Sequence, residues 1–172
     1  MDPILEFVET STLATWIRGE VPYSTYAFPV IVTLHTLGMG FLAGGSAAID
    51  LRILGIGPHA PLKPMGRFLP LLWLAFAVMA ISGVLLLIAY PTKAFTNPMF
   101  YLKLCLIALA IWLVRVIAAS VLRSTTVDME PISPKVKALA FTSLLSWIAL
   151  IAAGRLLAYT HKWEMLGVPA LT

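Results

Sequence analysis

Charge is scarce in this sequence. Of 172 residues only 12% are Asp, Glu, Lys or Arg, whereas 60% are hydrophobic, and soluble domains have roughly 25% charged residues. A soluble domain of this size needs polar groups to cover its exterior, and this chain does not have enough of them. The composition therefore excludes a soluble enzyme, a nucleic-acid-binding protein and a disordered chain, and it predicts an integral membrane protein.

Several other features are also missing. Cys105 is the single cysteine, so an intrachain disulfide is excluded. The metalloprotease, hydrolase, phosphate-loop and dinucleotide motifs are absent, and whether the protein is an enzyme is left open. The predicted spans hold no pair of carboxylates, which argues against an ion-coupled carrier. The N-terminus has no basic region before an apolar stretch, which argues against a cleaved signal peptide.

Four long apolar runs are present, at residues 21–49, 68–92, 99–122 and 138–160. Each exceeds the about 20 residues of helix that a bilayer core requires. Short connections between consecutive helices favour antiparallel neighbours. The sequence therefore predicts an all-α fold, an integral membrane four-helix up-down bundle with the lipid bilayer as its main partner.

The segment before the first run alternates apolar and polar residues at helical spacing. One side of the helix carries Leu5, Val8, Thr12, Leu13, Trp16 and Ile17, and the polar positions are Glu6, Glu9, Arg18 and Glu20. This pattern predicts an N-terminal amphipathic helix that lies in the membrane interface or packs on the end of the bundle. We therefore divide the chain into residues 1–20, the interfacial helix, and residues 21–172, the transmembrane domain.

Loop charges predict the orientation. We call the side that carries both chain ends and residues 90–97 side A, and the opposite side side B. Side B holds six basic residues (Arg52, Lys63, Arg67, Arg123, Lys135 and Lys137) and side A holds three (Arg18, Lys93 and Lys162). Cytoplasmic loops carry the excess of Lys and Arg. We expect side B to be cytoplasmic and both termini to be outside.

Five ionisable residues fall within the predicted spans, where such groups are costly and usually face the protein interior. His35, Lys103 and Arg155 occur at similar depths in the side A half of three different helices. Asp50 and Arg115 are at comparable depths near side B. For these two we expect a structural ion pair between helices, with Arg52 as the other possible partner of Asp50.

The first group of three has two interpretations. A neutral imidazole inside a bundle is a suitable haem iron ligand, and cations such as Lys103 and Arg155 suit the two propionates. In the other interpretation, His35 is hydrogen-bonded to a neighbouring helix while the two cations extend toward side A. The nearby Gly40 and Gly44 either allow helices to approach closely, including those of a homo-oligomer, or leave room for a macrocycle.

A second axial ligand is not obvious. His161 is closest in type, but lies about 10 Å shallower than His35 at the rise of a helix. Met39 is four residues from His35 on the same helix, a spacing that disfavours axial binding of both residues to one iron. That spacing suits a single Cu(I) ion instead, provided that Met79 or Cys105 joins it. His59 falls in a Pro/Gly-rich loop and is expected to be solvated.

The segments YAFPVIVTLHTLG at residues 26–38, DLRILG at 50–55, NPMFYLK at 97–103 and GRLLAY at 154–159 resemble a family of small bacterial four-helix membrane proteins of unknown function. The resemblance covers nearly the whole chain and places His35, Lys103 and Arg155 in the family pattern. A more distant similarity is to copper-resistance proteins of the CopD type and to membrane subunits of b-type cytochromes. It implies haem or copper, by analogy of fold.

We therefore expect a multi-pass protein of the bacterial inner membrane that binds haem b. Its function would be electron transfer with a redox partner, or haem-based sensing, near the outer face. The alternatives are a structural or accessory subunit without redox chemistry and a copper-handling protein.

Overall fold

The computed structural model describes the backbone of residues 3–57, 59–122 and 131–165, and the side chains of the same segments as far as residues 121 and 157. Within these segments the chain forms helices and no strand. The helices are α1 (Pro3–Glu9), α2 (Thr12–Arg18), α3 (Ala27–Ile53), α4 (Leu62–Met65), α5 (Leu69–Ala89), α6 (Pro91–Phe95), α7 (Pro98–Ile117) and α8 (Pro134–Met165). A 3-10 turn precedes α5, and a π-helical turn follows α7.

Prolines and caps set the helix boundaries. Pro70, Pro91 and Pro98 occupy the first turns of their helices, where a missing N–H costs nothing. Asn97 caps α7, because its side-chain oxygen accepts a hydrogen bond from the Met99 N–H at 2.9 Å. The boundaries of the long helices therefore follow local chemistry that is readable in the sequence.

The four long helices form an antiparallel bundle in which α3 packs on α5 and α8, and α8 packs on α7. Four helical segments are long and apolar enough to cross a membrane: Ala27–Ile53, Leu62–Ala89, Pro98–Val121 and Pro134–Leu157. The prediction of an all-α, four-helix membrane bundle is therefore confirmed.

Two glycines explain how closely α3 and α5 approach each other. A methyl group on Gly38 would lie 2.9 Å from the carbonyl oxygen of Ala75, and one on Gly45 would lie 2.5 Å from the side chain of Leu72. The backbones therefore touch at Gly38, which is the packing role of small residues in membrane helices.

The main core lies in the side B half of the bundle. Every buried residue of α7 falls in its second half, at Ala110, Leu113, Val114 and Ile117. From residue 98 to residue 109 the helix has no fully buried side chain. α7 is thus tightly packed near side B and more loosely packed near side A, whereas Ile31 of α3 and Ala89 of α5 are buried at the side A end.

The N-terminal segment forms two short helices rather than the single helix that its pattern predicts. Ser11 caps α2, and Gly19 ends it with a positive φ of 78°, a conformation that suits glycine. Arg18 donates hydrogen bonds to the carbonyl oxygens of Glu9 and Ala89, at 2.8 and 3.0 Å. Together with the buried side chain of Ile17, these bonds hold α2 against the side A end of the bundle, whereas α1 has no buried residue.

Candidate functional site

His35 lies between α3 and α5 and is half-buried. Its Nδ1 atom is 3.0 Å from the carbonyl oxygen of Met79 and 3.1 Å from the Ser82 hydroxyl. Ser82 in turn donates to the carbonyl oxygen of Val78 at 2.6 Å. The histidine is therefore tied to the neighbouring helix by both backbone and side-chain groups.

These contacts decide the tautomer of the ring. A carbonyl oxygen only accepts, so Nδ1 must carry the hydrogen and donate it to Met79. The Ser82 hydroxyl hydrogen is directed at Val78, so its oxygen is also available as an acceptor for the His35 N–H. In the neutral imidazole with its hydrogen on Nδ1, Nε2 presents a lone pair, the form in which imidazole binds metals.

Ser82 and Gly83 are site residues that sequence reasoning missed. A methyl group on Gly83 would lie 3.2 Å from Cε1 of His35, so a side chain at this position would crowd the ring. The signal was present in the sequence: Ser82 is the single hydroxyl residue in the apolar run of residues 69–89, and a glycine follows it directly.

Lys103 of α7 is half-buried and lies close enough to His35 for its charge to act on the ring. It forms no ion pair with any side chain that the structure describes. Two of the three residues predicted to share a site are thus brought together. Lys103 lies in the half of α7 that has no fully buried side chain.

Arg155 does not join them. Its side chain is exposed on α8, two positions after the buried Ala153, and therefore faces away from the helix bundle. His161 lies in the last part of α8, whose side chains are outside the described residues. The predicted convergence of three charged groups is reduced, in the structure, to His35 and Lys103.

The residues considered for copper do not come together around His35. Met39 packs against the main core. The Met79 side chain is 5% exposed and belongs to that core. Met79 therefore contacts His35 through its backbone carbonyl oxygen and not through its sulfur. Cys105 and His59 are both exposed. In the described part of the chain, no group of three or more His, Cys, Asp or Glu side chains has metal-binding geometry.

The expected ion pair of Asp50 with Arg115 is not formed. Arg115 is exposed and lies over the ring of Trp73, 5.8 Å from its centroid, whereas Asp50 is 2% exposed with an Oδ2 atom that has no hydrogen-bond partner. Arg52, the other expected partner, donates instead to the carbonyl oxygen of Ala60. The prediction failed because Arg115 points out of the bundle and Asp50 points into it.

A groove of about 500 Å³ opens at side A between the N-terminal helices and α6. Three of its four charged side chains are already engaged: Arg18 pairs with Glu20 at 2.6 Å, and Glu9 accepts a hydrogen bond from Thr92. His35 is not among the residues that line it. The residues that line the groove therefore hold the N-terminal helices against the bundle, and the groove is separate from the histidine site.

Comparison with protein-family models, with curated proteins and with solved structures finds no match to this chain. The resemblance to bacterial four-helix membrane proteins and to cytochrome subunits therefore stays a prediction. What can be said of function rests on the environment of His35.

Proposed function

We propose that this chain is a multi-pass membrane protein that binds b-type haem, with Nε2 of His35 as an axial ligand of the iron. The observation that carries the proposal is the hydrogen bond from Nδ1 to the Met79 carbonyl. Metal-binding histidines usually donate their other N–H to a carbonyl or a carboxylate, which fixes ring orientation and tautomer. The same bond leaves the Nε2 lone pair uncommitted within the span.

Lys103 supplies the charge that this site needs. A haem propionate is an anion, and an ammonium group in a medium of low dielectric constant makes a strong charge-assisted partner for it. Lys103 is half-buried and acts on His35. Arg155 is exposed, so it is not included in the proposed site.

The packing supports a position on the α7 side of His35. The α3–α5 contact is closed at Gly38, whereas α7 has no fully buried side chain before Ala110. A flat apolar ligand packs there by van der Waals contact with apolar side chains of the side A half. Haem bound at this position supplies one-electron transfer with a redox partner, or the sensing of a small iron ligand.

The test is an absorption spectrum. Protein produced with a sufficient haem supply and purified in detergent should show a Soret band, a reduced-minus-oxidised difference spectrum and about one haem b per chain by pyridine haemochrome assay. His35→Ala and His35→Gln should lose the band. His59→Ala, in an exposed loop, is the matched control and should keep it.

The proposal is overturned if the protein stays colourless after reconstitution with haem, or if His35→Gln retains the spectrum of the wild type. Copper in stoichiometric amount without iron would favour the copper-handling function. Folding of each variant is checked by its elution profile and by its helical circular dichroism.

A second function is that of an accessory subunit without redox chemistry. It is favoured if the contacts of His35 with α5 serve only to hold the two helices together. The bonds of His35 to Met79 and Ser82 lock α3 to α5. In that case the purified protein carries no metal, and His35→Gln changes thermal stability but nothing in the absorption spectrum. The spectrum of the wild type therefore separates the two functions.

We further propose that the protein lies in the bacterial inner membrane with both termini outside. The support is the excess of basic residues on side B. Single-cysteine variants in a Cys105→Ala background test it. Lys63→Cys should be protected from an impermeant maleimide added to intact spheroplasts, and Lys93→Cys should react with it.

A homo-oligomer is also part of the proposal. Methyl groups on Gly40 and Gly44 would meet nothing within 4 Å, so this pair of small residues on α3 lies open to the lipid. Gly40→Leu should reduce crosslinking between copies in membranes if α3 forms the contact, and should leave it unchanged if another face does.

A further inference from the structure

A second group of polar side chains lies deep in the side B half of the bundle. Ser46 and Asp50 belong to α3, and Ser143 and Trp147 belong to α8. Their exposures are 3%, 2%, 0% and 3%. Each has a polar atom without a hydrogen-bond partner: Ser46 Oγ, Asp50 Oδ2, Ser143 Oγ and Trp147 Nε1.

Such an arrangement is costly unless something is bound. An unsatisfied buried polar group costs about 1–3 kcal/mol, and an unpaired carboxylate inside a membrane span costs more. Asp50, Ser46 on the same helix and Ser143, which interacts with the carboxyl from α8, indicate that the site takes up a small ligand that completes their hydrogen bonds.

The charged groups that pack around Asp50 do not neutralise it. Arg52 is engaged by the Ala60 carbonyl, and Arg115 lies over Trp73. The remaining cations that the structure describes at this end are exposed: Lys63, Arg67, Lys135 and Lys137. Arg123 lies outside the described residues. α5 and α7 present only apolar side chains to the carboxyl.

The size of the site limits what it can bind. Ser46 and Asp50 line a cavity of about 10 Å³, whose other walls are Ile49, Leu69, Leu72, Val114 and Ile117. This is about the volume that one water molecule requires, so a hydrated cation is too large. A bare metal cation is also disfavoured, because hard cations take about six or more oxygen ligands, and the site offers one carboxyl and two hydroxyls.

We propose that Asp50 is a proton-binding site enclosed within the bundle. The carboxylate takes one proton from water at side B to become a neutral carboxylic acid. The acid O–H then donates to a neighbouring hydroxyl oxygen. Ser143 of α8 lies close enough to the carboxyl to interact with it, and Ser46 lies one turn away on α3.

Protonation explains the composition of the site. A neutral acid has both a donor and acceptors, so it completes the hydrogen bonds of hydroxyl neighbours without a counter-ion. Asp50 lies three residues before the end of α3 at Ile53, only about 4.5 Å along the helix axis from side B. The proton therefore has a short distance to cover between Asp50 and the side B end of the bundle.

Infrared spectroscopy of the protein in lipid tests the proposal. Of the eight carboxyl side chains, all but Asp50 lie outside the spans. The carbonyl stretch of a protonated carboxylic acid should be present in wild-type protein at neutral pH and shift on exchange into heavy water. It should be absent in Asp50→Asn, and Ser143→Ala should change its frequency. Arg115→Gln is the matched control and should leave it unchanged.

Isotope labelling protects the test against a variant that fails to fold. Wild-type protein labelled with carbon-13 at aspartate carboxyls should show the band at a lower frequency, which assigns it to Asp without any substitution. The proposal is overturned if no such band is seen at neutral pH. It is also overturned if the band appears only in Arg123→Gln, which would reveal an ion pair, or if replacing choline by sodium ions removes it, which would reveal a metal-cation site. None of these readouts depends on haem.

Discussion

The Nδ1 atom of His35 on α3 lies 3.0 Å from the carbonyl oxygen of Met79 on α5. This contact is consistent with two interpretations. It joins two membrane helices, and it leaves Nε2 as the ring nitrogen that can bind a metal. The hydrogen must reside on Nδ1, since a carbonyl cannot donate.

Ser82→Ala should lower stability modestly. The substitution removes one acceptor of the His35 N–H and leaves the Met79 carbonyl in place, so we expect a loss of about 1 kcal/mol. Thermal unfolding in detergent measures it. Ser120→Ala is the control, because the Ser120 hydroxyl is exposed and bonds only to carbonyls of its own helical segment. Equal losses in both variants would contradict the interhelical role of Ser82.

Gly38→Ala and Gly40→Ala should have opposite effects. A methyl group at Gly38 would lie 2.9 Å from the Ala75 carbonyl oxygen and force α3 and α5 apart, which costs roughly 1–3 kcal/mol. At Gly40 it would meet nothing within 4 Å, and alanine gains about 0.5–1 kcal/mol over glycine in a helix. Unfolding of the monomer in detergent compares them. A destabilised Gly40→Ala monomer would show that its position in the structure is wrong.

The Arg18–Glu20 pair should make docking of the N-terminal helices sensitive to acid. The hydrogen bond from Arg18 lowers the pKa of Glu20, and the same bond raises the pKa of Arg18, which stays charged. A lowered carboxyl pKa stabilises the fold above the ordinary pKa of glutamate. That contribution is lost as the pH falls through the lowered value.

Hydrogen–deuterium exchange of residues 3–18, corrected for intrinsic rates, measures this effect. Protection should fall below about pH 4, the ordinary range of glutamate. Glu20→Gln should remove the pH dependence. The effect should be small and weaken in salt, because Glu20 is solvent-exposed. A pH dependence that persists in Glu20→Gln would assign it to another group.

Asp50 and Arg115 should be energetically independent. Arg115 lies over Trp73, and Asp50 has no cation within the described residues. A double-mutant cycle of Asp50→Asn and Arg115→Gln should therefore give a coupling energy near zero. An ion pair buried in the bundle would instead couple the two by about 1 kcal/mol or more. Arg115→Gln alone should cost about 0.5–1 kcal/mol from the lost interaction with Trp73.

Much of the architecture could be read from residue order. Inside a bilayer every backbone polar group must be hydrogen-bonded within the protein. A long apolar run satisfies this requirement by forming a helix, so the four runs predict four helices. Pro70, Pro98 and Asn97 mark helix starts through chemistry that is local to a few residues. The N-terminal segment was less predictable, because Ser11 and Gly19 divide and end helices by their capping bonds, which a hydrophobic period does not reveal.

The candidate site was only partly predictable. Depth along a helix follows from counting, and it predicted one level for His35 and Lys103, whose charge acts on the ring in the structure. Direction around a helix does not follow from counting when every face is apolar. For that reason Arg155 was assigned to the interior although it faces outward, and Asp50 was paired with Arg115 although they face opposite ways.

The amino-acid order by itself determined that this chain is four apolar helices with a histidine, a lysine and an aspartate placed within them, because hydrophobicity and length act along one dimension. The tertiary structure alone decided which of those groups meet. Helix rotation is set by the sum of many packing contacts, such as the approach of Gly38 to Ala75. That rotation gave His35 a backbone acceptor and left Asp50 without a counter-ion.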